Sequence, residues 1–467
     1  MRSRNSTAIM NIASSMIAQG ISFVSLPLFT RMLGTEQYGR YSVYMSWLGV
    51  LSCITGLCVR NAIPTGIEDF KDDYPRFRRT IFAAGFGISA LLPILAAVLA
   101  RPLAAFTGFR PAIVIVLFAN AFCFSVIDFF QTRNIYEKKP LANLIGNSAI
   151  AVSHTLLSIL FILKSGSADR FEGKILGYAI TYFAAGAIAS AIILSRRGYR
   201  PAPRDSSVPA RKYVSYAMTI GTPMIFHMLS QNILTQSDRV MMQKLGTPDA
   251  QTGIYSFFYT FANVLYVIFL ALNNSFTPFY YDELRNKKSP AENRSRLLSN
   301  YIEIYTVLTT GFLLLSREVS GLLAGDEYMD GLGILPVLVA AMYFIFLAQL
   351  PINYEIYLKK TGLIAGCTTG CALLNIALNA ILIPQHGMYG AAAATAISYA
   401  ALFAVHTGLS RRYSFRLPPA VLSSMTATAA TSAIYYLAAE LPLLRWGLGA
   451  AIGIAELIRI KKRRTVF

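Results

Sequence analysis

Charged side chains are scarce in this chain. Asp, Glu, Lys and Arg make up 14% of its 467 residues, where a soluble domain carries about 25%. With 55% hydrophobic residues and a mean hydropathy of +0.49, there is too little polar surface to cover one large soluble domain or several ordinary ones. Acidic residues are scarcer still: 23 face 42 basic ones, for a net charge of +19. In a soluble protein that excess points to nucleic acid. In an apolar chain it reflects basic loops beside an anionic membrane surface, so no nucleic-acid partner is expected. Cysteine is sparse. Cys53, Cys58, Cys123, Cys367 and Cys371 lie in apolar runs, without zinc spacing or a disulfide framework, and read as small packing residues. The four histidines, His154, His227, His386 and His406, show no metal-ligand spacing. No Gly-Lys-Ser/Thr phosphate loop is present, which excludes ATP hydrolysis in this chain. Neither a metal nor a cofactor is expected.

What the chain has is long apolar runs. Fourteen lie at about 10–31, 41–59, 80–100, 111–132, 141–163, 174–195, 214–237, 252–275, 300–316, 332–356, 362–383, 389–409, 419–439 and 441–459. A spanning helix needs about 20 apolar residues, so the pattern predicts an all-α polytopic membrane protein with about 14 transmembrane helices. The first run is too long for a cleavable signal, is interrupted by Asn11, Ser14, Ser15 and Gln19, and lacks a small-residue cleavage site. Assigning the connecting loops alternately puts 31 of the 42 basic residues on one side. That bias predicts both termini in the cytoplasm of a bacterial inner membrane. No loop has room for an extramembrane catalytic domain.

The chain repeats itself. Pro27–Ser42 reads PLFTRMLGTEQYGRYS after the first run, and Ser237–Ser256 reads SDRVMMQKLGTPDAQTGIYS after the seventh. Leu33-Gly34-Thr35 matches Leu245-Gly246-Thr247, and Tyr41-Ser42 matches Tyr255-Ser256. Both copies follow an odd-numbered run, so the halves share an orientation. The expectation is two parallel, pseudo-symmetric six-helix bundles over residues 1–195 and 214–409. The Arg/Pro-rich segment 196–213 then serves as a cytoplasmic linker. Residues 410–467 add two helices and a basic cytoplasmic tail.

These motifs carry a family resemblance. Pro27–Gly39 is similar to the first-helix signature of bacterial polysaccharide-unit flippases, the O-antigen and exopolysaccharide translocases of the multidrug/oligosaccharidyl-lipid/polysaccharide (MATE-like) exporter superfamily. Asp238-Arg239, Leu245-Gly246 and Gly253-Ile254-Tyr255-Ser256 resemble its seventh-helix counterpart. Leu374–Asn379, Ile383-Pro384 and Gly387–Ala392 resemble the passage between helices eleven and twelve. Family members often have twelve helices, so the last two runs are an extension. The resemblance implies a translocator and not an enzyme. Its substrate would be an undecaprenyl-diphosphate-linked oligosaccharide, flipped by alternating access for surface polysaccharide biosynthesis. Membrane lipids, a proton or sodium ion as coupling ion, and polysaccharide polymerase and assembly proteins are the implied partners. A multidrug exporter or a lipid II-type flippase of the same fold is the alternative. A glycan polymerase or prenyltransferase is disfavoured, because neither a large loop nor paired acidic motifs appear. The single acidic run Glu68–Asp73 reads as solvated charge.

Such a task predicts polar stripes facing a wet cavity. One stripe runs Asn143, Asn147, His154 and Ser158, a second His227, Gln231, Thr235 and Asp238, and a third Tyr255, Tyr259, Asn263, Tyr266 and Asn273. Charges within apolar runs cost several kcal/mol unless paired or hydrated. Arg31, Arg60 and Arg239 are candidates for phosphate recognition, since a guanidinium offers a planar fork. Tyr259, Asn263 and Tyr266 are candidates for sugar contacts. Asp128, on a stripe with Asn120 and Gln131, is the leading coupling or gating candidate, with Arg133 nearby. His154, His227, Asp238, Glu303 and Glu355 complete that set. Arg60 and Arg239 are expected to face a net cationic cavity. Gly362, Gly366 and Gly370 form a small-residue ladder that reads as close helix packing.

Overall fold

A computed structural model describes residues 2–195, 208–286 and 288–462, with the side chains of 2–9, 11–19 and 22 outside that description. The linker residues 196–207, the tail residues 463–467 and the side chains of Arg2, Arg4, Asn11, Ser14, Ser15 and Gln19 therefore fall outside it. The described residues are helical almost throughout. Fifteen α-helices follow one another: α1 (Arg2–Ile54), α2 (Ile63–Asp69), α3 (Tyr74–Ser89), α4 (Leu91–Val98), α5 (Ala100–Thr107), α6 (Pro111–Tyr136), α7 (Pro140–Lys164), α8 (Arg170–Leu194), α9 (Ala210–Lys244), α10 (Asp249–Arg285), α11 (Ala291–Leu323), α12 (Leu335–Tyr357), α13 (Thr361–Arg411), α14 (Ala420–Leu437) and α15 (Pro442–Lys462). Each apolar run falls on helix.

Among the described residues, nine stretches are long and apolar enough to cross a membrane. One is α13, with 51 residues. At 1.5 Å per residue such a helix would reach about 76 Å, more than twice the ~30 Å apolar layer. It is broken at Gly387, and α1 is broken likewise at Gly34, so each carries two of the apolar runs. The chain is a multi-pass membrane protein. α9 does not meet the apolar criterion, because His227, Gln231, Asn232, Gln236, Asp238 and Arg239 interrupt it.

By compactness the chain divides into Met1–Val240 and Met241–Phe467. Nearly all of α9 counts with the first unit; the repeat boundary read from sequence concerns duplication, which is a separate matter. In the first unit α7 packs on α8 and α1, and α6 on α8. Its core includes Phe77, Phe82, Phe86, Val126 and Phe129, and a second cluster gathers Tyr44, Leu117 and Tyr178. In the second unit α12 packs on α13, and α11 on α14 and α15. The glycine ladder is a correction. A Cβ at Gly362, Gly366 or Gly370 would meet nothing within 4 Å, so that face is open and mediates no close packing.

Local geometry repeats with the sequence. Gly34 and Gly246, the central residues of the matching Leu-Gly-Thr triplets, both have left-handed backbone, with φ of 70° and 81°. A second repeat emerges from the structure. Ile135-Tyr136-Glu137-Lys138-Lys139 ends α6, and Ile356-Tyr357-Leu358-Lys359-Lys360 ends α12. Both close with the same left-handed cap. Lys138 and Lys359 have φ of 56° and 60°. The Lys139 amide donates to Asn134 O at 2.8 Å, and the Lys360 amide to Glu355 O at 2.9 Å. Asn134 and Glu355 thus occupy the same position in the last turn of each helix.

These caps yield a paired prediction. A side chain in left-handed backbone costs about 1–2 kcal/mol, and nothing crowds a Cβ at Gly246. Gly246→Ala should lower the melting temperature of the detergent-solubilised protein by roughly 2–4 °C, and Lys359→Gly should raise it by a similar amount. Shifts of the same sign in the two variants would contradict the assignment.

Candidate functional site

The site begins where α1 ends. After Ile54 the chain enters a tight helical stretch, Thr55–Ala62, in which Gly56, Leu57 and Cys58 are all left-handed, with φ of 74°, 50° and 51°. Two of these are not glycine, so the turn is strained. Neighbouring helices hold it in place. The Gly56 amide donates to Ser89 Oγ at 2.8 Å, and the Thr55 hydroxyl donates to Ala121 O at 3.0 Å and lies 2.5 Å from Ser125 Oγ. A Cβ on Gly56 would sit 2.7 Å from the Phe86 ring, and one on Gly221 of α9 would sit 2.6 Å from Leu57 O. Packing therefore admits only glycine at both contacts.

The break carries Arg60 to Asp128 of α6, with which it forms an ion pair. Both side chains remain partly exposed, 22% and 31%, because they open onto a cavity of about 460 Å³. Met45, Leu48, Gly49, Ser52 and Cys53 supply its α1 wall at helical spacing, Ser125 and Asp128 its α6 wall, and Met228, Asn232 and Gln236 its α9 wall. Asn232 Nδ2 contacts Cys53 Sγ at 3.1 Å, and the Ser46 hydroxyl donates to Gln236 Oε1 at 3.2 Å. The expected cationic excess is absent here: one Arg and one Asp make the lining neutral.

The structure re-sorts the expected stripes. The cavity face of α9 is Met228–Asn232–Gln236, one residue on from the expected Gln231 and Thr235. Gln231 is exposed, His227 is half-buried, and Thr235 donates to Gln231 O at 3.0 Å. Asn120, Asp128 and Gln131 do not act together. Asn120 donates to Tyr44 Oη at 2.6 Å and Gln131 to Asn147 Oδ1 at 2.6 Å, while Asp128 meets Arg60. Arg133 is not beside Asp128 as expected; it bonds Glu137 at 2.9 Å and covers the Phe130 ring. On α7, Asn143 bonds Asn134 and Gln131 O, and Ser158 bonds Lys174 O. Those are helix-to-helix bonds, each worth about 0.6 kcal/mol in a bilayer. Cys53 and Cys58, read as packing residues, line the cavity. In the acidic run, Asp69 and Asp73 accept bonds from Tyr216 and Tyr213 of α9.

The remaining candidates lie apart from this cavity. Arg31 is exposed and His154 half-buried in the first unit, with the His154 ring 5.8 Å from Tyr178. Asp238 and Arg239 are buried near the end of α9, where Arg239 donates to Thr235 O. In the second unit Tyr259 is buried, and Asn263 and Tyr266 are half-buried. Glu303 is buried in α11, the helix on which Tyr301 stacks on Phe276 and Tyr305 on Phe346, each pair at 4.0 Å. Glu355 is buried against His406.

Two polar centres escaped the sequence reading. Lys174 sits at the edge of the sixth apolar run yet is buried, its ammonium 3.9 Å from the Phe29 and Tyr41 ring centroids and 5.4 Å from that of Tyr38. The left-handed turn at Gly34 brings these rings together, so the aromatic residues of the Pro27–Ser42 motif form a cation–π cage. At the end of α6, Glu137 gathers Arg78, Arg133 and Lys139 at 2.5, 2.9 and 2.7 Å. Burial alone would raise its carboxyl, but bonds from Arg133 and Lys139 and the charges of Arg133 and Arg78 hold it down at about 2.

The described residues thus define a polytopic, all-helical membrane protein with a polar cavity walled by its own helices. The family model described as "Polysaccharide biosynthesis protein" matches residues 6–279, more than half of the chain, and the protein belongs to that family. It is 20% identical to "Lsg locus putative protein 1" of Haemophilus influenzae over 411 residues, covering 84% of this chain and 96% of that one. An inward-facing multidrug resistance MATE family transporter of the MOP superfamily superposes with a TM-score of 0.67 at 13% identity, covering 87% of this chain and 98% of its own. The lipid II flippase MurJ in an inward closed conformation gives 0.65 at 15% identity, covering 96% and 98%. The fold is MATE- and MurJ-like.

The Glu137 hub makes stability depend on pH. Because its carboxyl is held below the ordinary 4.5, its contribution is complete above that value and is lost as pH falls towards 2. Glu137→Gln should cost about 1.5–3 kcal/mol near neutrality. The gap in melting temperature between wild type and variant should narrow as pH falls from 6 to 3. A gap constant over that range would contradict the ion-pair hub.

Proposed function

We propose that this protein flips an undecaprenyl-diphosphate-linked oligosaccharide across the bacterial inner membrane, by alternating access of two repeated halves, for surface polysaccharide biosynthesis. The observation that carries the reading is the Arg60–Asp128 pair on the cavity of the first unit. A flippase must hold a diphosphate briefly and let it go. Arg60 offers a fork for phosphate oxygens, and Asp128 is an internal competitor for the same fork. With the site empty, Asp128 keeps the guanidinium paired, since an unpaired charge in an apolar region is costly. An arriving diphosphate replaces Asp128, and Asp128 reclaims Arg60 on release. Asn232, Gln236 and Ser52 line the same cavity and present amide and hydroxyl groups suited to sugar hydroxyls. Both termini on the cytoplasmic side, and a proton or sodium gradient as driving force, belong to this proposal.

The test separates a structural ion pair from a substrate contact. Replacing a buried pair by apolar residues of similar volume is often neutral for folding. Arg60→Met combined with Asp128→Leu should leave protein levels near normal while surface polysaccharide falls at least about tenfold, the loss expected for a charge-assisted contact. Arg60→Lys should retain part of the activity. Wild-type polysaccharide in the double variant would make the pair a structural device only.

A further inference from the structure

The second unit holds a charged centre of a different kind. Glu355, in the last turn of α12, is fully buried, as are His406 and Ser410 near the end of α13. Glu355 Oε2 lies 2.7 Å from His406 Nδ1, and the Ser410 hydroxyl donates to Glu355 Oε1 at 2.7 Å. His406 is the ion-pair partner of Glu355, and no Lys or Arg pairs with it among the described residues. The other ring nitrogen, His406 Nε2, is buried without a hydrogen-bond partner among the described residues, and so is the hydroxyl of the next residue, Thr407.

Counting protons shows what this arrangement demands. With His406 neutral and Nδ1–H donating to an ionised Glu355, the cluster carries one uncompensated negative charge inside apolar packing, which is costly. Adding one proton makes it neutral, either as imidazolium with carboxylate or as imidazole with carboxylic acid. Imidazolium, and an imidazole that accepts the carboxylic proton on Nδ1, carry an N–H on Nε2 with no acceptor among the described residues, and an imidazole that keeps its Nδ1–H leaves Nε2 an unpaired acceptor. Closed packing therefore satisfies neither protonation state fully. The first unit shows the contrast: at the equivalent position, Asn134 makes a neutral bond to Asn143.

We propose that Glu355, His406 and Ser410 form a binding site for a single proton, which exchanges with water when the ends of α12 and α13 part. In that step a hydronium ion gives up its proton, one N–H or O–H bond forms at the pair, and water leaves. Lys359, Lys360, Arg411 and Arg412 stand at the same helix ends, and none of them forms an ion pair with Glu355 among the described residues. Cys367 of α13 lies within electrostatic reach of Glu355. The Lys360 ammonium is turned onto the Tyr413 ring at 5.1 Å, and Tyr354 donates to Tyr413 O. From α10, Tyr281 donates to Asn353 O, and Arg294 of α11 lies near Tyr280. None of them supplies the missing counter-charge. As the coupling step of transport, this site rests on the translocation reading above; as a proton site it stands on the pair alone.

The experiment uses full-length protein in lipid nanodiscs with ¹⁵N-labelled histidine rings, the His406 signals being assigned by their absence in His406→Gln. In wild type the His406 ring nitrogen signals should change with pH, by protonation of the ring or by a switch of its tautomer. In Glu355→Gln its midpoint should move by at least about one pH unit, and Ser410→Ala should shift it less, in a variant that keeps both members of the pair. Ring nitrogen signals that do not change with pH in wild type, or a midpoint identical in Ser410→Ala and Glu355→Gln to that of wild type, would overturn the proposal. Polysaccharide export measured across external pH tells the two readings apart. Export that persists when the whole gene is deleted sinks the translocation reading, whereas the coupled titration of His406 would still establish the proton site.

Discussion

A charge that must be kept inside an apolar segment sets the geometry of the first unit. Arg60 meets Asp128 where the chain after α1 breaks into a left-handed turn at Gly56–Cys58, and Ser89, Ala121 and Ser125 hold that turn through Gly56 and Thr55. Breaking the helix leaves room between α1, α6 and α9, and that room is the cavity. The same requirement explains why α9 is too polar to meet the apolar criterion: one of its faces, Asn232 and Gln236, lines water-accessible space beside the ion pair. Strain, pairing and cavity are one arrangement.

Duplication and divergence are both visible in the second unit. The left-handed glycines at 34 and 246, and the left-handed lysines at 138 and 359, sit at corresponding turns. Position by position, the polar content differs. Where α6 ends in a neutral Asn134–Asn143 bond, α12 ends in a buried carboxylate facing a histidine. Where the motif of the first half cages Lys174 between Phe29, Tyr38 and Tyr41, the matching Tyr255 lies near Thr395. Corresponding turns of the two units thus carry different charged centres.

Much of this was legible in the sequence, for reasons tied to period and composition. Apolar runs of membrane length declare helices, and Leu-Gly-Thr at matching places declares a repeat. Arg60, Asp128 and Glu355 stood out because charge in such runs is expensive. Their partners did not, because pairing across the chain leaves no periodic trace: Arg133, closer in sequence to Asp128, goes to Glu137 instead. On α9 the polar residues are so dense that either of two adjacent stripes satisfies helical spacing, and packing against Gly49 and Ser46 chose the second. Lys174 was hidden by lying at the edge of its apolar run, where snorkelling to water is the ordinary outcome. His406 was hidden because a single histidine among alanines carries no pattern until Glu355 is placed against it. The glycine ladder at 362, 366 and 370 had the right spacing for close packing and no neighbour to pack against.

The central claim is that Asp128 and the diphosphate of a lipid-linked substrate compete for the Arg60 guanidinium. Binding of undecaprenyl diphosphate to the purified protein in nanodiscs tests it most directly, with undecaprenyl monophosphate as comparison. Asp128→Asn removes the internal competitor and should tighten binding, whereas Arg60→Met should weaken it at least about tenfold, as loss of a charge-assisted contact requires. Equal affinity in wild type and both variants would contradict the account.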